Sequence, residues 1–348
     1  MLLQHRPESI SKSAAQDLTF VIKHPLNNRT IKFKYMTRKI KFDDLRSAVN
    51  EAYEQLKNDN EGTPDTTYNS CGCTDGCFGI AVVLTDGSVI TAGTTDCKTS
   101  LGSIAKIPIS SCLLSQMTPD EIIQKSGQCP CACNAKGKSQ KPDIPFSVHG
   151  LRAISAIQPT GDADGKWEIL SDRMVKLMGS APELDDKLYE SLKQQAIDAN
   201  VEDTIATSGY YLYDDAPIAI DTYIKAVSMK ASALQLATMG ATIASDGVNP
   251  TNGQEVFDGK FAQNIVALMA AKGPHKMSKP WLMGAGIPAK SSRSGAMVAV
   301  MPGAFGIAAV SPMLNEAGVS VKAAKAIKMI ANKLDINVFA SARVEIVK

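Results

Sequence analysis

The sequence lacks the features that mark membrane, secreted or nucleic-acid-binding proteins. No run of about 18 apolar residues occurs, so none of the 348 residues is expected to lie in a membrane span. The formal net charge of +2 predicts no general affinity for nucleic acid. Residues 1–7 contain no apolar segment of secretory-signal length. We therefore expect a cytoplasmic protein that binds neither membrane nor nucleic acid.

The most informative short motif is a Ser-x-x-Lys pair, Ser103 and Lys106, at the predicted start of a helix. Residues three apart lie on one face of a helix, so the hydroxyl and the amine are expected to meet. A neighbouring amine can take the proton of a serine and make it nucleophilic. The first turn of a helix also favours a developing oxyanion. The pattern predicts nucleophilic catalysis, although the same spacing also occurs on solvated helix faces.

Strand and helix patterns alternate in an order that predicts the architecture. Residues 78–84 and 88–93 form a predicted hairpin around an Asp-Gly turn, and residues 295–310 form a second one. Helical patterns cover 42–57, 103–117, most of 151–272, and 320–334, with a last strand expected at 336–340. We predict an α/β (α+β) fold in which an antiparallel sheet flanked by helices comes from both ends of the chain. The predicted domains are a sheet domain of residues 42–115 and 273–348, and an inserted all-helical domain of residues 116–272.

The N-terminal extension, residues 1–41, becomes strongly basic over residues 21–41, which contain no acidic residue. Residues 30–35 alternate polar and apolar side chains, which predicts a half-solvated strand. A lysine-rich edge strand is the favoured interpretation. A surface for an anionic partner is the alternative.

Three segments of the chain resemble segments of the glutaminases, a family of the serine-dependent β-lactamase and penicillin-binding superfamily. Residues 244–253 resemble Ala-Asn-Gly-Gly-Val-x-Pro-x-Thr-Gly, and residues 283–291 resemble Gly-(Ile/Leu)-Pro-Ala-Lys-Ser-Gly. Residues 311–320 resemble Ser-Pro-x-Leu-x-x-x-Gly-Asn-Ser. They follow the Ser-x-x-Lys motif in family order. The resemblance implies a β-lactamase/glutaminase-like fold across roughly residues 42–340.

The resemblance also implies roles for individual residues. Glutaminases cleave the side-chain amide of glutamine through an acyl-serine intermediate, which makes Ser103 the nucleophile and Lys106 the general base. Four further positions match the cleft of the family: Tyr68, Tyr223, Lys290 and Ser291. For both tyrosines, packing with a satisfied hydroxyl is an equally open interpretation.

The departures from the family pattern concern the substrate pocket. The substrate-holding asparagine is replaced by Val148 or its neighbour, and His149 beside it is a candidate substrate contact. Glu190 fits the family's Ser-Glu position at poor spacing, so it is either a shifted substrate contact or plain helix surface. His275 stands where the family has a cleft tyrosine, and Arg293 replaces a small apolar residue. His275 is a candidate acid–base group, and Arg293 is a candidate partner for a substrate carboxylate; a structural histidine and a surface arginine are the alternatives.

The chain has eight cysteines, and six of them fall in two short clusters. The clusters are Cys71, Cys73 and Cys77, and Cys129, Cys131 and Cys133. If the family alignment holds, both border the cleft. Structural zinc, iron–sulfur ligation, disulfides and free thiols all stay open, because neither cluster has the Cys-x-x-Cys spacing of zinc ribbons.

Together these features predict a glutaminase-like amidohydrolase that uses a Ser-Lys pair on a small amide or amino-acid-like substrate other than free glutamine. The alternatives are an amide-forming acyltransferase and a non-catalytic binding protein of the same fold. No cofactor is required for this chemistry. A homodimer or homotetramer is expected.

Overall fold

The computed structural model describes residues 19–23, 30–34, 37–68, 77–127, 143–340 and 343–348. In these residues the α-helices are α1 Phe42–Leu56, α2 Lys106–Gln116, α3 Pro119–Gly127, α4 Val148–Ser155, α5 Ala163–Met178, α6 Asp186–Asp198, α7 Val201–Ser208, α8 Ala216–Ser228, α9 Ala233–Ala244, α10 Ala262–Lys272, α11 Ser278–Ala285 and α12 Val321–Lys333. The strands are β1 Thr19–Lys23, β2 Thr30–Lys34, β3 Thr37–Lys41, β4 Thr63–Pro64, β5 Gly79–Leu84, β6 Val89–Gly93, β7 Lys98–Ser100, β8 Glu183–Leu184, β9 Met229–Ser232, β10 Ala289–Ser291, β11 Ala296–Met301, β12 Phe305–Val310, β13 Met313–Leu314 and β14 Arg343–Val347.

The central element is a five-stranded antiparallel sheet with the strand order β10-β11-β12-β5-β6. Its two halves come from distant parts of the chain: the hairpin β5–β6 and the segment β10–β12. They join through β12 and β5, where Phe305 pairs with Leu84 and Val310 pairs with Gly79. The two predicted hairpins and their antiparallel sheet are therefore confirmed.

Both faces of the central part of this sheet are covered, which explains why β5, β11 and β12 are continuous apolar runs, whereas the edge strand β6 alternates exposed and buried residues. Side chains alternate across a strand, so Ile80 and Val82 face one core while Ala81 and Val83 face the other. Helices α1 and α12 cover the first face, and α9 covers the second. The core is thus divided into two layers by the sheet.

Helix α9 approaches the sheet through two glycines. A Cβ on Gly306 would lie 2.1 Å from the backbone nitrogen of Ala241, and one on Gly240 would lie 3.1 Å from the Gly306 Cα. Helix and strand backbones are therefore in direct contact, and any larger side chain at Gly306 would separate them. Although α9 belongs to the segment predicted as helical insertion, it packs directly on the sheet.

A buried ion pair stabilises the helical part beside the sheet. Lys166 on α5 is fully buried, and its Nζ lies 2.8 Å from Oδ2 of Asp214. The same amine donates hydrogen bonds to the carbonyl groups of Ile154 and Ser155 at the end of α4. A buried ammonium needs this full set of acceptors to offset its lost hydration. The contacts tie α5 to α4, which lies next to Lys106.

Several predicted boundaries are corrected by pairing between distant segments. Within the stretch 151–272 that was expected to be mostly helical, Glu183–Leu184 instead pairs with β9, and helix α6 begins after the N-cap Asp185. The expected last strand at 336–340 is wrong, because those residues form no strand and β14 lies further on. Strand β14 pairs in parallel with β3, a partner that local periodicity does not reveal.

The basic N-terminal extension supplies the strand that was predicted at residues 30–35. Strand β2 runs over Thr30–Lys34 and pairs antiparallel with β1. The following strand, β3, runs directly into α1.

The proposed domain boundaries are not tested by the structure and stay a prediction. Across the described ranges, no helix combines the length and apolar character needed to cross a bilayer.

Candidate active site

The Ser-x-x-Lys motif lies in a tight turn that leads into α2. Residues Gly102–Ala105 form a 3₁₀ turn that places Ser103, half-buried, one turn before Lys106 at the start of α2. Gly102 has a φ of +46°, and a Cβ there would lie 2.4 Å from the Ser292 hydroxyl oxygen. Glycine is therefore needed both for the backbone conformation and for the close approach to the loop after β10.

The Lys106 amine donates a hydrogen bond to the Ser147 hydroxyl oxygen at 2.8 Å. Ser147 is also the N-cap of α4, where the same oxygen accepts the backbone N–H of Gly150 at 3.2 Å. This contact connects the start of α2 with the start of α4. The expected hydrogen bond between Ser103 and Lys106 is not tested and stays a prediction.

Tyr223 of α8 lies beside Gly150 and Ser147. Its ring lies directly against the Gly150 backbone, since a Cβ on that glycine would be 2.4 Å from the ring. Burial raises the pKa of the Tyr223 phenol, the neighbouring Tyr68 raises it further, and hydrogen bonding with Ser147 opposes the rise. Tyr223 is therefore a neutral phenol at physiological pH, suited to donate a hydrogen bond beside Ser147 rather than to act as a base.

Tyr68 reaches the site from the segment before β5. Its ring comes within 3.9 Å of the position that a Cβ on Gly102 would occupy, and its carbonyl accepts a hydrogen bond from the Ser100 hydroxyl at 3.5 Å. Burial raises the pKa of Tyr68, and the nearby Arg293 partly offsets this effect. The structure therefore places the Tyr68 phenol next to the turn that carries Ser103.

A second lysine lies close to Lys106. Lys290, on the edge strand β10, is 4% exposed, and its amine donates a hydrogen bond to the Gly273 carbonyl at 2.7 Å. Burial, followed by the charge of Lys106, lowers the pKa of Lys290 to about 7. The next residue, Ser291, is fully buried, and its hydroxyl has no hydrogen-bond partner among the described residues.

His275 lies beside these cations with a φ of +50°. Although the residue is exposed, desolvation of the ring together with the charges of Lys290, Lys106 and Arg293 lowers the pKa of His275 to about 4. The imidazole is therefore neutral at neutral pH, so the near-neutral pKa that suggested an acid–base role does not hold here. A neutral imidazole can still accept a proton or a hydrogen bond.

Arg293 already has a carboxylate partner. Its Nε lies 2.6 Å from Asp65 Oδ2, and the side chains are 63% and 3% exposed, respectively. The other oxygen of Asp65 accepts the backbone N–H groups of Thr67 and Tyr68 at 2.8 and 2.9 Å. Asp65 thus fixes the turn that carries Tyr68, and it binds the arginine that was expected to pair with substrate.

The remaining predicted contacts lie on helices α4 and α6. His149 is exposed on α4 and lines an adjacent cavity. Glu190 is exposed on α6. Val148, which the resemblance places at or next to the family's asparagine position, is buried and apolar.

Two important residues were missed from the sequence, Ser147 and Asp65. Both have local signals: Ser147 directly precedes a helix as an N-cap residue does, and Asp65 accepts backbone N–H groups two and three residues ahead. These signals predict a cap and a turn. They do not predict that the same side chains bind Lys106 and Arg293.

Residues of the site line two cavities of different character. A cavity of about 170 Å³ is lined by Lys106, Lys290 and mainly apolar side chains. A cleft of about 630 Å³ is lined by polar and charged groups, including His275, Arg293 and Asp65. The reacting group of a substrate between the lysines would therefore have an apolar side and a polar side.

The cysteine clusters fall mostly outside the described residues; these are Cys71, Cys73, Cys129, Cys131 and Cys133. Cys77 is disulfide-bonded, and its sulfur lies 3.1 Å from the sulfur of Cys97. Within the described ranges, no group of three or more His, Cys, Asp or Glu side chains is arranged to hold a metal ion. Metal binding by the two clusters is therefore untested.

The sheet, the helices beside it and the serine–lysine turn define a protein of the β-lactamase-like class. A solved structure described as a probable glutaminase superposes with a TM-score of 0.75 at 28% identity, covering 86% of this chain and 99% of that one. The Bacillus subtilis glutaminase in covalent complex with 5-oxo-L-norleucine superposes with a TM-score of 0.70 at 23% identity, covering 85% and 98%. At 23% identity, the similarity to the Bacillus subtilis enzyme shows a shared fold.

Sequence comparison identifies the family. Residues 72–339 match the family model described as Glutaminase. The glutaminase of Bacteroides thetaiotaomicron is 35% identical over 317 residues, covering 87% of this chain and 97% of that protein. Glutaminase 1 of Escherichia coli O157:H7 is 30% identical over 302 residues, covering 85% and 97%. The chain belongs to the glutaminase family, as the sequence motifs predicted.

Proposed function

We propose that this protein is a serine-dependent amidohydrolase in which Ser103 is the nucleophile and Lys106 is the general base. The observation that carries the proposal is the Lys106–Ser147 hydrogen bond, which holds the amine at the start of α2, three residues after Ser103. Membership of the glutaminase family supports the same chemistry.

The reaction proceeds through an acyl-serine. Ser103 Oγ attacks the amide carbonyl carbon, and the hydroxyl proton passes to the Lys106 amine. The ammonium returns this proton to the amide nitrogen as the carbon–nitrogen bond breaks. Water then attacks the ester carbon and gives a proton to Lys106, which returns it to Ser103 Oγ as the carbon–oxygen bond breaks. The products are a carboxylic acid and ammonia or an amine.

The two tyrosines beside the site support these steps without titrating near neutral pH, and Ser147 and Lys290 contribute in other ways. The raised pKa values of Tyr68 and Tyr223 keep both phenols protonated, so each can donate a hydrogen bond to a developing negative charge. Ser147 orients the base through its hydroxyl. The buried Lys290 adds positive potential when protonated, which favours an oxyanion in a low-dielectric site.

The substrate is an amide other than free glutamine. An amino acid substrate needs a carboxylate partner for its ammonium group and a cation or amide for its carboxylate. Here Val148 replaces the family's asparagine, Glu190 lies exposed on α6, and Arg293 is engaged by Asp65. The pocket has therefore lost polar contacts that the amino acid head group requires.

Enzyme assays with an amine-detecting reagent test both parts of the proposal. Ser103→Ala should lower hydrolysis of an active amide at least about 10³-fold, and intact-mass measurement of quenched wild type should show an acyl adduct that the variant lacks. Ser191→Ala, an exposed serine on α6, is the matched control and should retain full activity.

The same assay tests the choice of substrate. Glutamine should be hydrolysed well below the usual enzyme range of about 1–10³ per second, and the glutamine analogue 6-diazo-5-oxo-L-norleucine should label Ser103 weakly. Rapid glutamine turnover would contradict the substrate proposal. Full activity of Ser103→Ala would contradict the assignment of the nucleophile.

A further inference from the structure

The cavity beside Lys106 is lined mainly by single faces of the helices α2, α4 and α10. On α2 its lining begins at Lys106 and continues to Met117 just after the helix, about 16 Å away at 1.5 Å per residue. On α4 it begins at His149, two residues after Ser147, and ends at Ala156. On α10 it ends at Lys272, next to the Gly273 carbonyl that binds Lys290.

The two ends of the cavity differ in the residues that line them. The three helices place basic residues, Lys106, His149 and Lys272, at the end near the reaction centre, and Lys290 lies there as well. At the opposite end the same faces carry Met117, Ala156 and Ile265. The cavity is therefore cationic next to the reacting group and apolar away from it.

The charged residues that line the cavity, within the described part of the chain, are all basic. Arg152 and Lys125 are the two further basic residues of the lining, and both stack on Tyr213. Among the described lining residues there is no aspartate or glutamate. An ammonium group would find no partner in this cavity, whereas a carboxylate near its mouth would be attracted.

The volume is sufficient for a short hydrocarbon group. Apolar cavities of about 150 Å³ hold a molecule the size of benzene, and this one measures about 170 Å³. The larger polar cleft, by contrast, is lined by the carboxylates of Asp65 and Glu316 as well as by Arg293, which is already paired with Asp65. A substrate that fits this site therefore has an apolar acyl group inside the cavity and an anionic group beside the basic residues at the end near the reaction centre.

We propose that the substrate is an N-acyl amino acid with a short unbranched acyl chain, a proposal that rests on the amidohydrolase function above. The acyl chain lies along α2 in the apolar cavity, the amide carbonyl lies at Ser103, and the amino acid carboxylate lies beside the basic residues at the end of the cavity near the reaction centre. Ser103 Oγ takes the acyl group as the carbon–nitrogen bond breaks, and the amino acid leaves with its nitrogen protonated by Lys106. Water then releases the fatty acid from Ser103.

Binding of a chain-length series tests the cavity independently of turnover. The probes are N-acetyl-, N-butanoyl- and N-hexanoyl-L-alanine, with hexanamide as the analogue that lacks the carboxylate. Calorimetry with full-length Ser103→Ala protein should show affinity rising about fourfold for each added methylene, as burial of a CH₂ predicts. Hexanamide should bind at least about tenfold more weakly than N-hexanoyl-L-alanine.

A cavity-filling variant makes the test specific. Ala153→Leu adds volume at a half-buried position of the lining and should weaken N-hexanoyl-L-alanine binding at least about tenfold while leaving N-acetyl-L-alanine unchanged. Ala267→Leu, exposed on α10 and not part of this lining, is the matched control and should change neither. Circular dichroism melting of each variant checks that it is folded.

The outcomes separate the two proposals. Affinity that rises with chain length in Ser103→Ala, without hydrolysis by wild type, would support the acyl cavity and contradict the amidohydrolase function. Hydrolysis with no dependence on chain length would support the function and overturn the acyl cavity. If Ala153→Leu weakened binding of the acetyl and hexanoyl probes equally, the acyl cavity would also be overturned. The added side chain would then disturb the whole site rather than fill the space for the acyl chain.

Discussion

The Lys106 amine lies 2.8 Å from the Ser147 hydroxyl oxygen, which is also the N-cap acceptor of α4. One oxygen therefore anchors a helix and orients the proposed general base. Because Lys106 begins α2 and Ser147 precedes α4, the relative placement of two helices determines where the amine lies. This coupling predicts separate effects on stability and on catalysis, which mutation can resolve.

Ser147→Ala should reduce both properties. Loss of the cap should lower the free energy of unfolding by about 1 kcal/mol, and loss of the amine's acceptor should lower kcat about 10- to 100-fold with little change in KM. Asp162→Ala removes the N-cap of α5, whose side chain accepts the Gly165 N–H at 2.9 Å, and should cost similar stability with normal kcat. Ser147→Thr keeps a hydroxyl and should recover most of the activity. Equal kcat losses in the alanine variants of Ser147 and Asp162 would contradict the positioning role.

The pKa of Lys290, lowered to about 7, predicts that stability depends on pH. The unfolded lysine keeps a pKa near 10.5, so between about pH 7 and 10 the unfolded state binds more protons and stability rises with pH. The penalty for the buried charge is fully present below about pH 7. Over this interval the Lys290 contribution to the free energy of unfolding should increase by up to about 4 kcal/mol.

Denaturant titrations of Lys290→Met across this pH range check that prediction. The variant should lose most of the rise in stability between pH 7 and 10. Lys276→Met, which removes an exposed lysine beside His275, should keep the wild-type slope. An unchanged slope in Lys290→Met would show that Lys290 is not the responsible group.

The Asp65–Arg293 pair predicts a moderate coupling energy. Asp65 is almost fully buried, whereas Arg293 is largely exposed, so solvent screens the attraction but removing the arginine leaves a buried carboxylate unpaired. A double-mutant cycle with Asp65→Asn and Arg293→Gln should yield a coupling of about 1 kcal/mol. Asp65→Asn should also lower kcat because the carboxylate fixes the Tyr68 turn. A coupling near zero would mean that the pair contributes no net stability.

The cysteines can be examined by counting thiols. Because Cys77 is disulfide-bonded, denatured and unreduced protein should show at most six of its eight thiols, since one disulfide consumes two. Metal analysis of the same sample tests whether the two cysteine clusters bind zinc or an iron–sulfur group. Eight reactive thiols and no metal would contradict both disulfide formation and metal binding by the two clusters, and would leave free thiols as the remaining alternative.

By itself, the sequence determined the elements whose signals are local. The hairpin β5–β6, the strands β11 and β12, and the helices α1 and α12 all follow from side-chain periodicity and turn residues. The Ser103–Lys106 spacing is equally local. The family motifs extended this to the fold class, because they occur in the same order along the chain.

Tertiary structure alone decided the surroundings of the proposed base. Lys106 and Ser147 are 41 residues apart in sequence, and Asp65 meets Arg293 across most of the chain. The lowered pKa of Lys290 arises from burial and from Lys106 on another element, and β14 pairs with a strand near the opposite end of the chain. Such contacts form when separately stable elements pack together, so no local periodicity encodes them. This is why the candidate nucleophile could be proposed from its neighbours in sequence, whereas the cavities and charges around it required the packed helices.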